Sequence, residues 1–184
     1  MILTEMLTDP VVYRTADGVW YGAASSEGYA TKEAFIGGVG YQPVFGDYDG
    51  DGLADPAVYN RESGLWGIAF SSIGYQVMIG TLGGLGCLPV PADYDGDGLA
   101  DPAVYDPTTA EWQAFLSGSG YNKCWSMLGS TGAIPVPADY DGDGLADPAV
   151  YNQDTGIWGL FLSTRGYQEF GGGFGGPEYA PALE

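Results

Sequence analysis

Residues 89–105 of the chain read PVPADYDGDGLADPAVY, and residues 135–151 repeat the same seventeen letters. Residues 43–59 read PVFGDYDGDGLADPAVY and differ from these two stretches at only two positions. The three stretches are spaced 46 residues apart, and the length of 184 residues equals 4 × 46. A fixed period of about 20 to 50 residues is typical of repeat architectures. The chain is therefore expected to form four similar units within a single domain, residues 1–184.

Two aromatic positions recur in all four units, although the acidic stretch occurs in only three of them. Residues 3–7 of the first unit stand where residues 49–53 stand in the second. Residues 1–8 are therefore predicted to form a connection without a metal. Tryptophan occupies one recurring position and the tyrosine of a Gly-Tyr pair the other: Trp20, Trp66, Trp112 and Trp158, and Tyr29, Tyr75, Tyr121 and Tyr167.

Each unit has room for four short strands, here called A to D. The 32 Gly and 12 Pro residues divide the chain into short segments rich in Val, Ile, Tyr, Trp and Phe, which favours strands over helices. In the second unit the predicted strands are residues 43–47, 55–60, 65–71 and 75–80. Strand C is apolar on both faces, which indicates a strand packed between two layers. Four-stranded antiparallel sheets stacked around an axis form a β-propeller, so the predicted fold is all-β with four blades of 46 residues.

The two ends of the chain suggest how such a ring is completed. The first unit begins at its B strand, and Pro181, Ala182 and Leu183 align with the start of the A strand in the second unit. The C-terminal segment is therefore expected to supply the A strand of the first blade. Two alternatives stay open, a larger ring formed by dimerisation and a fragment of a longer propeller. The predicted blades are residues 9–42 together with 181–184, then 43–88, 89–134 and 135–180.

The charge of the chain is strongly negative and unevenly distributed. Five basic residues face 24 acidic ones, giving a net charge of −19, and no histidine is present. A nucleic-acid-binding protein needs the opposite sign, so nucleic acid is excluded as a partner. The sequence contains no apolar run long enough to cross a membrane. Of the 16 aspartates, 12 lie in three copies of one nine-residue loop, which indicates carboxylates gathered around cations.

The acidic loop has the composition of a calcium-binding loop. Its aspartates stand at positions 1, 3, 5 and 9 and a glycine at position 6, and oxygen ligands around a turning glycine suit Ca²⁺. Two like charges about 4 Å apart repel by about 4 kcal/mol at an effective dielectric near 20, so the carboxylates favour a bound cation. Three Ca²⁺ sites per chain are expected, with the leucine at position 7 offering its carbonyl. The candidate ligands are Asp47, Asp49, Asp51, Leu53 and Asp55; Asp93, Asp95, Asp97, Leu99 and Asp101; and Asp139, Asp141, Asp143, Leu145 and Asp147.

The motif DxDGDGxxD followed by a short apolar strand resembles the FG-GAP (integrin-α-type) or VCBS-type calcium-binding repeat. The resemblance covers the second to fourth units closely and the first unit only in its B-to-D part. It implies a β-propeller of an extracellular or cell-surface protein in which these aspartates bind Ca²⁺. Members of this family often have seven blades, whereas four units are present here.

Outside the loops, few residues point to a particular chemistry. The recurring tryptophans are interpreted as core, whereas Trp125 stands where the other units have Ile79, Gly171 and Glu33 and is a candidate exposed contact. Cys87 and Cys124 are interpreted as two unpaired buried thiols, with one disulfide as the alternative.

These features together favour a binding protein over an enzyme. The chain lacks a histidine and a nucleophile paired with a base, so no enzymatic activity is expected. The predicted function is a secreted or surface binding, adhesion or scaffold module that acts as a monomer, with a dimer as the alternative. A lectin-like propeller and an accessory domain of a polysaccharide-degrading enzyme are the alternative functions. The partner is expected to be a protein or a glycan.

Overall fold

The computed structural model describes residues 10–24 and 28–182, and within these residues nearly all regular structure is β-strand. The strands occur in chain order, and each sheet is built from consecutive strands. The strands of the described residues are β1 Val11–Arg14, β2 Val19–Ala24, β3 Ala30–Phe35, β4 Tyr41–Pro43, β5 Ala57–Asn60, β6 Leu65–Phe70, β7 Gln76–Thr81, β8 Leu88–Pro89, β9 Ala103–Asp106, β10 Glu111–Leu116, β11 Asn122–Met127, β12 Ile134–Pro135, β13 Ala149–Asn152, β14 Ile157–Leu162 and β15 Gln168–Gly173.

The strands form four antiparallel sheets, each corresponding to one sequence repeat. The first sheet has three strands in the order β1-β2-β3, and the other three sheets have four strands each, β4 to β7, β8 to β11 and β12 to β15. Consecutive strands pair as neighbours throughout, as expected for hairpin-connected blades. The predicted all-β class and the division into four blade-like sheets are thus confirmed.

The A strands begin earlier than the sequence pattern predicted. Strand β4 covers Tyr41–Pro43 instead of residues 43–47, because Tyr41 pairs with Asn60 at the far end of β5. The backbone N–H of Val44 still donates to the carbonyl of Ala57 at 2.7 Å. Beyond it, only an isolated bridge between Gly46 and Asp55 continues the pairing. The chain leaves the sheet at this bridge to form the acidic loop.

The Gly-Tyr pairs form the turn between strands C and D. A short 3₁₀ helix at Ser71–Ile73 ends at Gly74, which has a φ of 72°. Tyr75 follows with a φ of 62°, a left-handed conformation that is uncommon for a tyrosine, and its N–H bonds the carbonyl of Phe70 at 2.8 Å. The tyrosines at the same position, Tyr29, Tyr121 and Tyr167, have φ values of 63°, 62° and 57°. The tyrosine therefore belongs to the turn, and the D strand begins one residue later than predicted.

The recurring tryptophans of the C strands pack against tyrosines of the neighbouring B strands. Trp66 pairs in register with Tyr59, and their ring centroids lie 5.1 Å apart. The corresponding distances are 4.9 Å for Tyr13 and Trp20, 5.4 Å for Tyr105 and Trp112, and 5.0 Å for Tyr151 and Trp158. Trp20, Trp66 and Trp112 are each only 3% exposed, and Trp158 is partly buried. These aromatic pairs bury large apolar surfaces inside the sheets, as predicted for core residues.

The chain divides into two compact units, Met1–Thr81 and Leu82–Glu184. In the first unit, Trp20, Ala34 and Val58 form a buried cluster that joins the first sheet to the second. Ile36 also fills the space in which a side chain at Gly67 would lie. Each of these contacts brings residues of two consecutive repeats together.

In the second unit, two clusters form the core. Val150 of β13 packs with Trp112 and Leu128 of the preceding repeat, so the third and fourth sheets share one core. Val136, Ala149 and Tyr151 form a further buried cluster within the fourth repeat. The sheets of this unit are therefore packed face to face through apolar side chains.

Closure of a ring by the C-terminus stays a prediction. Residues 1–9, 25–27 and 183–184 lie outside the described residues. The predicted metal-free connection, residues 1–8, and Leu183 are among these undescribed positions. Pro181 and Ala182 are described and do not belong to a strand. Within residues 10–24 and 28–182, no helix is both long and apolar enough to cross a membrane.

The two cysteines differ in their surroundings. No disulfide joins Cys87 and Cys124, both of which are described. Cys87 is buried, whereas Cys124 on the D strand β11 is exposed, so the interpretation of both as buried thiols was wrong for Cys124. In the sheets of the described residues, each D strand lies at one edge of its sheet.

Candidate metal centres

Each acidic loop is closed at its base by a backbone bridge between its flanks. The bridges join Gly46 to Asp55, Ala92 to Asp101 and Ala138 to Asp147. The second residue of each bridge is the last aspartate of the loop. The carboxylate at position 9 is therefore fixed in the sheet, whereas positions 1 to 8 turn outward between strands A and B.

The tyrosine at position 2 fastens the loop to the core. Tyr48 and Tyr94 are only 1% and 5% exposed, and Tyr140 is 42% exposed. The hydroxyl of Tyr94 donates to the carbonyl of Val90 at 2.7 Å, and that of Tyr140 donates to Val136 at 2.8 Å. In the second and third repeats the aspartates at positions 1 and 3 therefore flank a buried ring.

The carboxylate at position 1 is held by backbone N–H groups of the loop itself. Gly50 donates to Oδ1 of Asp47 at 2.7 Å, and Gly52 donates to Oδ2 at 2.9 Å. Both glycines have positive φ, 80° and 83°, which residues with a side chain rarely adopt. Asp93 and Asp139 receive the same two bonds from the corresponding glycines at 2.6 and 2.9 Å. Glycines at positions 4 and 6 of the motif DxDGDG thus allow the loop backbone to bond the carboxylate at position 1.

The carboxylate at position 9 is buried and bonded on both oxygens. Asp55 is fully buried and accepts hydrogen bonds from the N–H of Tyr48 at 2.8 Å and of Ser71 at 2.7 Å. Asp101 accepts bonds of 2.9 and 2.7 Å and Asp147 bonds of 3.0 and 2.8 Å from the equivalent donors. Burial raises the pKa of the Asp55 and Asp101 carboxyls, and the N–H donors oppose this effect. A cation beside these groups would favour their charged forms.

Three carboxylates of each loop converge on one point. Oxygen atoms from positions 1, 3 and 9 lie within 4.8 Å of one another in all three loops. The three clusters are Asp47, Asp49 and Asp55; Asp93, Asp95 and Asp101; and Asp139, Asp141 and Asp147. The Oδ1 atoms of Asp95 and Asp141 are buried and have no hydrogen-bond partner within the described part of the chain. A buried carboxylate oxygen without a donor is costly, and a cation at the cluster would satisfy it.

The carboxylate at position 5 is bonded to a serine that lies outside the acidic motif. Oδ2 of Asp51 accepts from the hydroxyl of Ser71 at 2.7 Å, and Oδ2 of Asp97 accepts from Ser117 at 2.9 Å. Each of these serines begins the 3₁₀ turn after a C strand. Its recurrence every 46 residues, at Ser71, Ser117 and Ser163, is the signal that could have identified it.

The turn also holds the carboxylate at position 3. Oδ2 of Asp49 accepts from the N–H and the hydroxyl of Ser72, and Oδ2 of Asp141 accepts from both groups of Thr164. In the third repeat this residue is Gly118, which offers only its N–H to Asp95. The turn between strands C and D thus holds the carboxylates at positions 3 and 5 of each loop.

The structure brings together three of the five ligands predicted for each loop. Positions 1, 3 and 9 form the clusters, and participation of the aspartate at position 5 and the leucine carbonyl at position 7 stays a prediction. The leucine side chains lie outside the buried core: Leu53 is 50% exposed, and Leu145 lies against Gly96 of the preceding repeat. The leucine therefore contributes little apolar burial within its own sheet.

An all-oxygen set of carboxylates suits a hard divalent cation, whereas Zn²⁺ prefers nitrogen and sulfur ligands. Carboxylates at positions 1, 3 and 9 can supply several ligands, and the buried Oδ1 atoms of two clusters fit that role.

Comparisons with protein-family models, with curated proteins and with solved structures find no match to this chain.

Proposed function

We propose that this chain is a calcium-stabilised, non-enzymatic propeller module that binds or presents partners outside the cell or at its surface. The observation that supports it best is the threefold recurrence of one carboxylate cluster, within 4.8 Å in each case, at the same place in three sheets. Ca²⁺ fits the proposal better than Mg²⁺ because it accepts irregular shells of six to eight oxygens, whereas Mg²⁺ demands an octahedron and retains its waters. The loops agree with the resemblance to FG-GAP or VCBS repeats.

The role of the metal in this proposal is to fix the loop. Asp at position 1 organises the loop through its glycines, and Asp at position 9 ties the cation to the sheet. Binding three divalent ions changes the formal charge from −19 to −13, which lowers the self-repulsion of the folded chain. The ions thus serve stability and shape, and no reaction is assigned to them.

We also propose that the four sheets form one ring and that the C-terminus supplies the missing strand of the first blade. Tyr179 donates its N–H to the carbonyl of Gly176 at 2.9 Å, and the same turn bond precedes the A strands at Tyr41, Cys87 and Ala133. The chain therefore enters residues 179–181 as it enters an A strand. In the described part of the chain, the B strand β1 pairs with β2 and with no other strand, so the proposal assigns its other side to the C-terminal segment. A ring assembled from two chains and a fragment of a longer propeller are the alternatives.

A carbohydrate ligand is the second candidate for the binding function. Trp125 is 68% exposed on β11, in contrast to the buried tryptophans of the repeat, and sugars stack on exposed aromatic rings. Binding to a glycan array that is lost in Trp125→Ala would favour a lectin-like module. Cleavage of a polysaccharide would contradict the non-enzymatic proposal.

The metal proposal is tested by titrating the chelator-treated protein with Ca²⁺ in a calorimeter. Three ions per chain are expected, with weaker binding of Mg²⁺. A matched variant, Asp101→Asn, keeps the size of the side chain and should reduce the number to two. Fewer than three ions bound by the unaltered chain at millimolar Ca²⁺ would contradict the proposal.

A further inference from the structure

A cavity of about 320 Å³ lies in the second unit, beside the third sheet. Aromatic rings form much of its wall: Tyr94, Trp112, Trp125, Phe161 and Tyr167. It lies within the size range of small-molecule sites, about 300 to 1,000 Å³, at the lower end. The cavity can therefore accept a compact ligand with a few heavy atoms.

The cavity lies where the third repeat carries smaller side chains than the second and fourth repeats. Ala114 of β10 stands at the position of Ile68 and Leu160, and it is paired in register with Cys124 of β11. At the position of Cys124, the second and fourth repeats have Met78 and Phe170. Ala114 and Cys124 both line the cavity. Two neighbouring changes to smaller side chains thus open one space in a chain whose repeats are otherwise closely similar.

At the rim of the cavity, the third repeat carries larger side chains than the second and fourth repeats. Trp125 replaces Ile79 and Gly171 of the neighbouring repeats, and Ser126 replaces Gly80 and Gly172. Trp125 is 68% exposed, so its large ring lies at the solvent side of the cavity. The interior side chains that differ from the other repeats are small, which leaves the space open. The departures at four positions, all lining one cavity, indicate a binding site.

The surrounding charge favours a cationic ligand. Among residues 10–24 and 28–182, no Asp, Glu, Lys or Arg lines the cavity. The N–H of Tyr94 bonds the carboxylate of Asp101 at 2.9 Å, so an acidic loop lies directly behind one wall. That loop carries four aspartates and keeps a charge of −2 with one divalent ion bound, within a chain of net charge −19. Such surroundings repel anions and attract cations.

We propose that this cavity binds an organic cation of the quaternary ammonium class. Aromatic faces attract cations through their quadrupole, and a quaternary ammonium, which has no N–H group, loses little hydration on entering an apolar space. A sugar would bring many hydroxyl groups, whereas the polar side-chain groups of the described lining residues are few: Ser126, Cys124, the Tyr94 and Tyr167 hydroxyls and the indole N–H groups of Trp112 and Trp125. Two of these are engaged, since Tyr94 donates to Val90 and Tyr167 donates to the carbonyl of Tyr94.

The test compares choline with neohexanol, its neutral analogue in which carbon replaces nitrogen. Calorimetric titration of the calcium-saturated protein, at constant ionic strength, should show choline binding at least about tenfold more tightly, the ratio expected for a cation–π contribution near 1.4 kcal/mol. Equal affinities for the two compounds, or no detectable binding of choline at millimolar concentration, would overturn the proposal.

Filling the cavity with residues from the other repeats provides the structural control. Ala114→Ile together with Cys124→Met introduces the pair found in β6 and β7 and should abolish choline binding. Asn122→Gln introduces the residue found at Gln76 and Gln168, outside the cavity, and should leave binding unchanged. Choline binding that persists in the filled variant would place the ligand elsewhere and refute the assignment. Calcium stoichiometry, measured for every variant, verifies folding independently of the ligand.

Discussion

The hydroxyl of Ser163 donates a hydrogen bond of 2.5 Å to Oδ2 of Asp143, which lies twenty residues earlier in the chain. The same contact joins Ser71 to Asp51 and Ser117 to Asp97. Each pair links the turn after a C strand to the acidic loop before the B strand of the same sheet. The loop is therefore held from outside as well as by its own backbone, and its stability depends on the neighbouring hairpin.

Replacing Ser163 by alanine should remove one such contact and leave the backbone bond to Asp147 intact. Because the contact is exposed, we expect a loss of about 1 kcal/mol of unfolding free energy and weaker Ca²⁺ binding at one site. Chemical denaturation and calorimetry measure the two effects. Ser119→Ala is the matched control, since the Ser119 hydroxyl bonds the carbonyl of Leu116 and no loop carboxylate. Identical results for the two variants would show that the hydroxyl does not support the loop.

Removal of divalent ions should lower the melting temperature strongly. A ligand that binds only the folded chain stabilises it by about 2.7 kcal/mol per site at a hundredfold excess over its dissociation constant. We expect EDTA to lower the melting temperature, Ca²⁺ to restore it fully and Mg²⁺ to restore it only in part. Scanning calorimetry of the three samples checks this. Superimposable melting curves with and without EDTA would exclude a stabilising ion.

Asp95→Ala should have opposite effects with and without calcium. In Ca²⁺ the variant loses one ligand and is expected to bind two ions and to melt at a lower temperature. In EDTA it loses one of several repelling carboxylates and should be at least as stable as the original chain. Asp154→Ala, an exposed carboxylate in the β13–β14 turn, is the control and should leave the stoichiometry at three. A destabilisation by Asp95→Ala that is equal in both buffers would argue against a metal at this cluster.

Deleting residues 178–184 should cause association of the chain while leaving three calcium sites. If residues 179–181 complete the first sheet, their loss exposes the backbone edge of β1, on which Val12 is already 64% exposed. Light scattering and a calcium titration measure the two results. Deleting only residues 183–184 is the control and should leave a monomer. A monomeric 178–184 deletion that melts as the intact chain does would refute closure by the C-terminus.

Stability should fall at alkaline pH because of buried tyrosines. Burial is the main cause that raises the pKa of Tyr105 from 10.0 to about 12, and its hydroxyl donates to the carbonyl of Leu128 at 3.3 Å. Since the folded chain holds this proton more tightly than the unfolded chain, the stabilisation is complete below pH 10 and is lost as the pH rises towards 12. Tyr105→Phe should cost about 1 kcal/mol at neutral pH and make the alkaline decline shallower.

Denaturation curves measured from pH 8 to about pH 11 test this expectation. Tyr29→Phe, which alters a tyrosine that is 65% exposed, should leave the pH dependence unchanged. The decline in Tyr105→Phe should not vanish, because burial also raises the pKa of Tyr48 and Tyr94. An alkaline decline that is the same in both variants would remove Tyr105 from the explanation.

The sequence alone determined the unit, its strand content and the position of its acidic loops. The reason is that these features are local: a period of 46 residues fixes the unit, turn residues separate the strands, and four aspartates within nine residues must lie near one another. It also predicted that the recurring tryptophans are core. The pattern predicts strand ends less accurately, because it includes Tyr75 in a strand although this residue closes a turn with positive φ.

Tertiary structure decided which groups from distant positions meet. Ser71 reaches Asp51 only because the C strand returns alongside the B strand in a fixed register, which brings residues twenty apart into contact. The same holds for the cavity: Ala114 and Cys124 are single small residues in the sequence, and they create one space because register places them side by side. The local repeat thus determines the loop, whereas pairing and packing across strands determine what supports the loop and where the chain leaves room for a ligand.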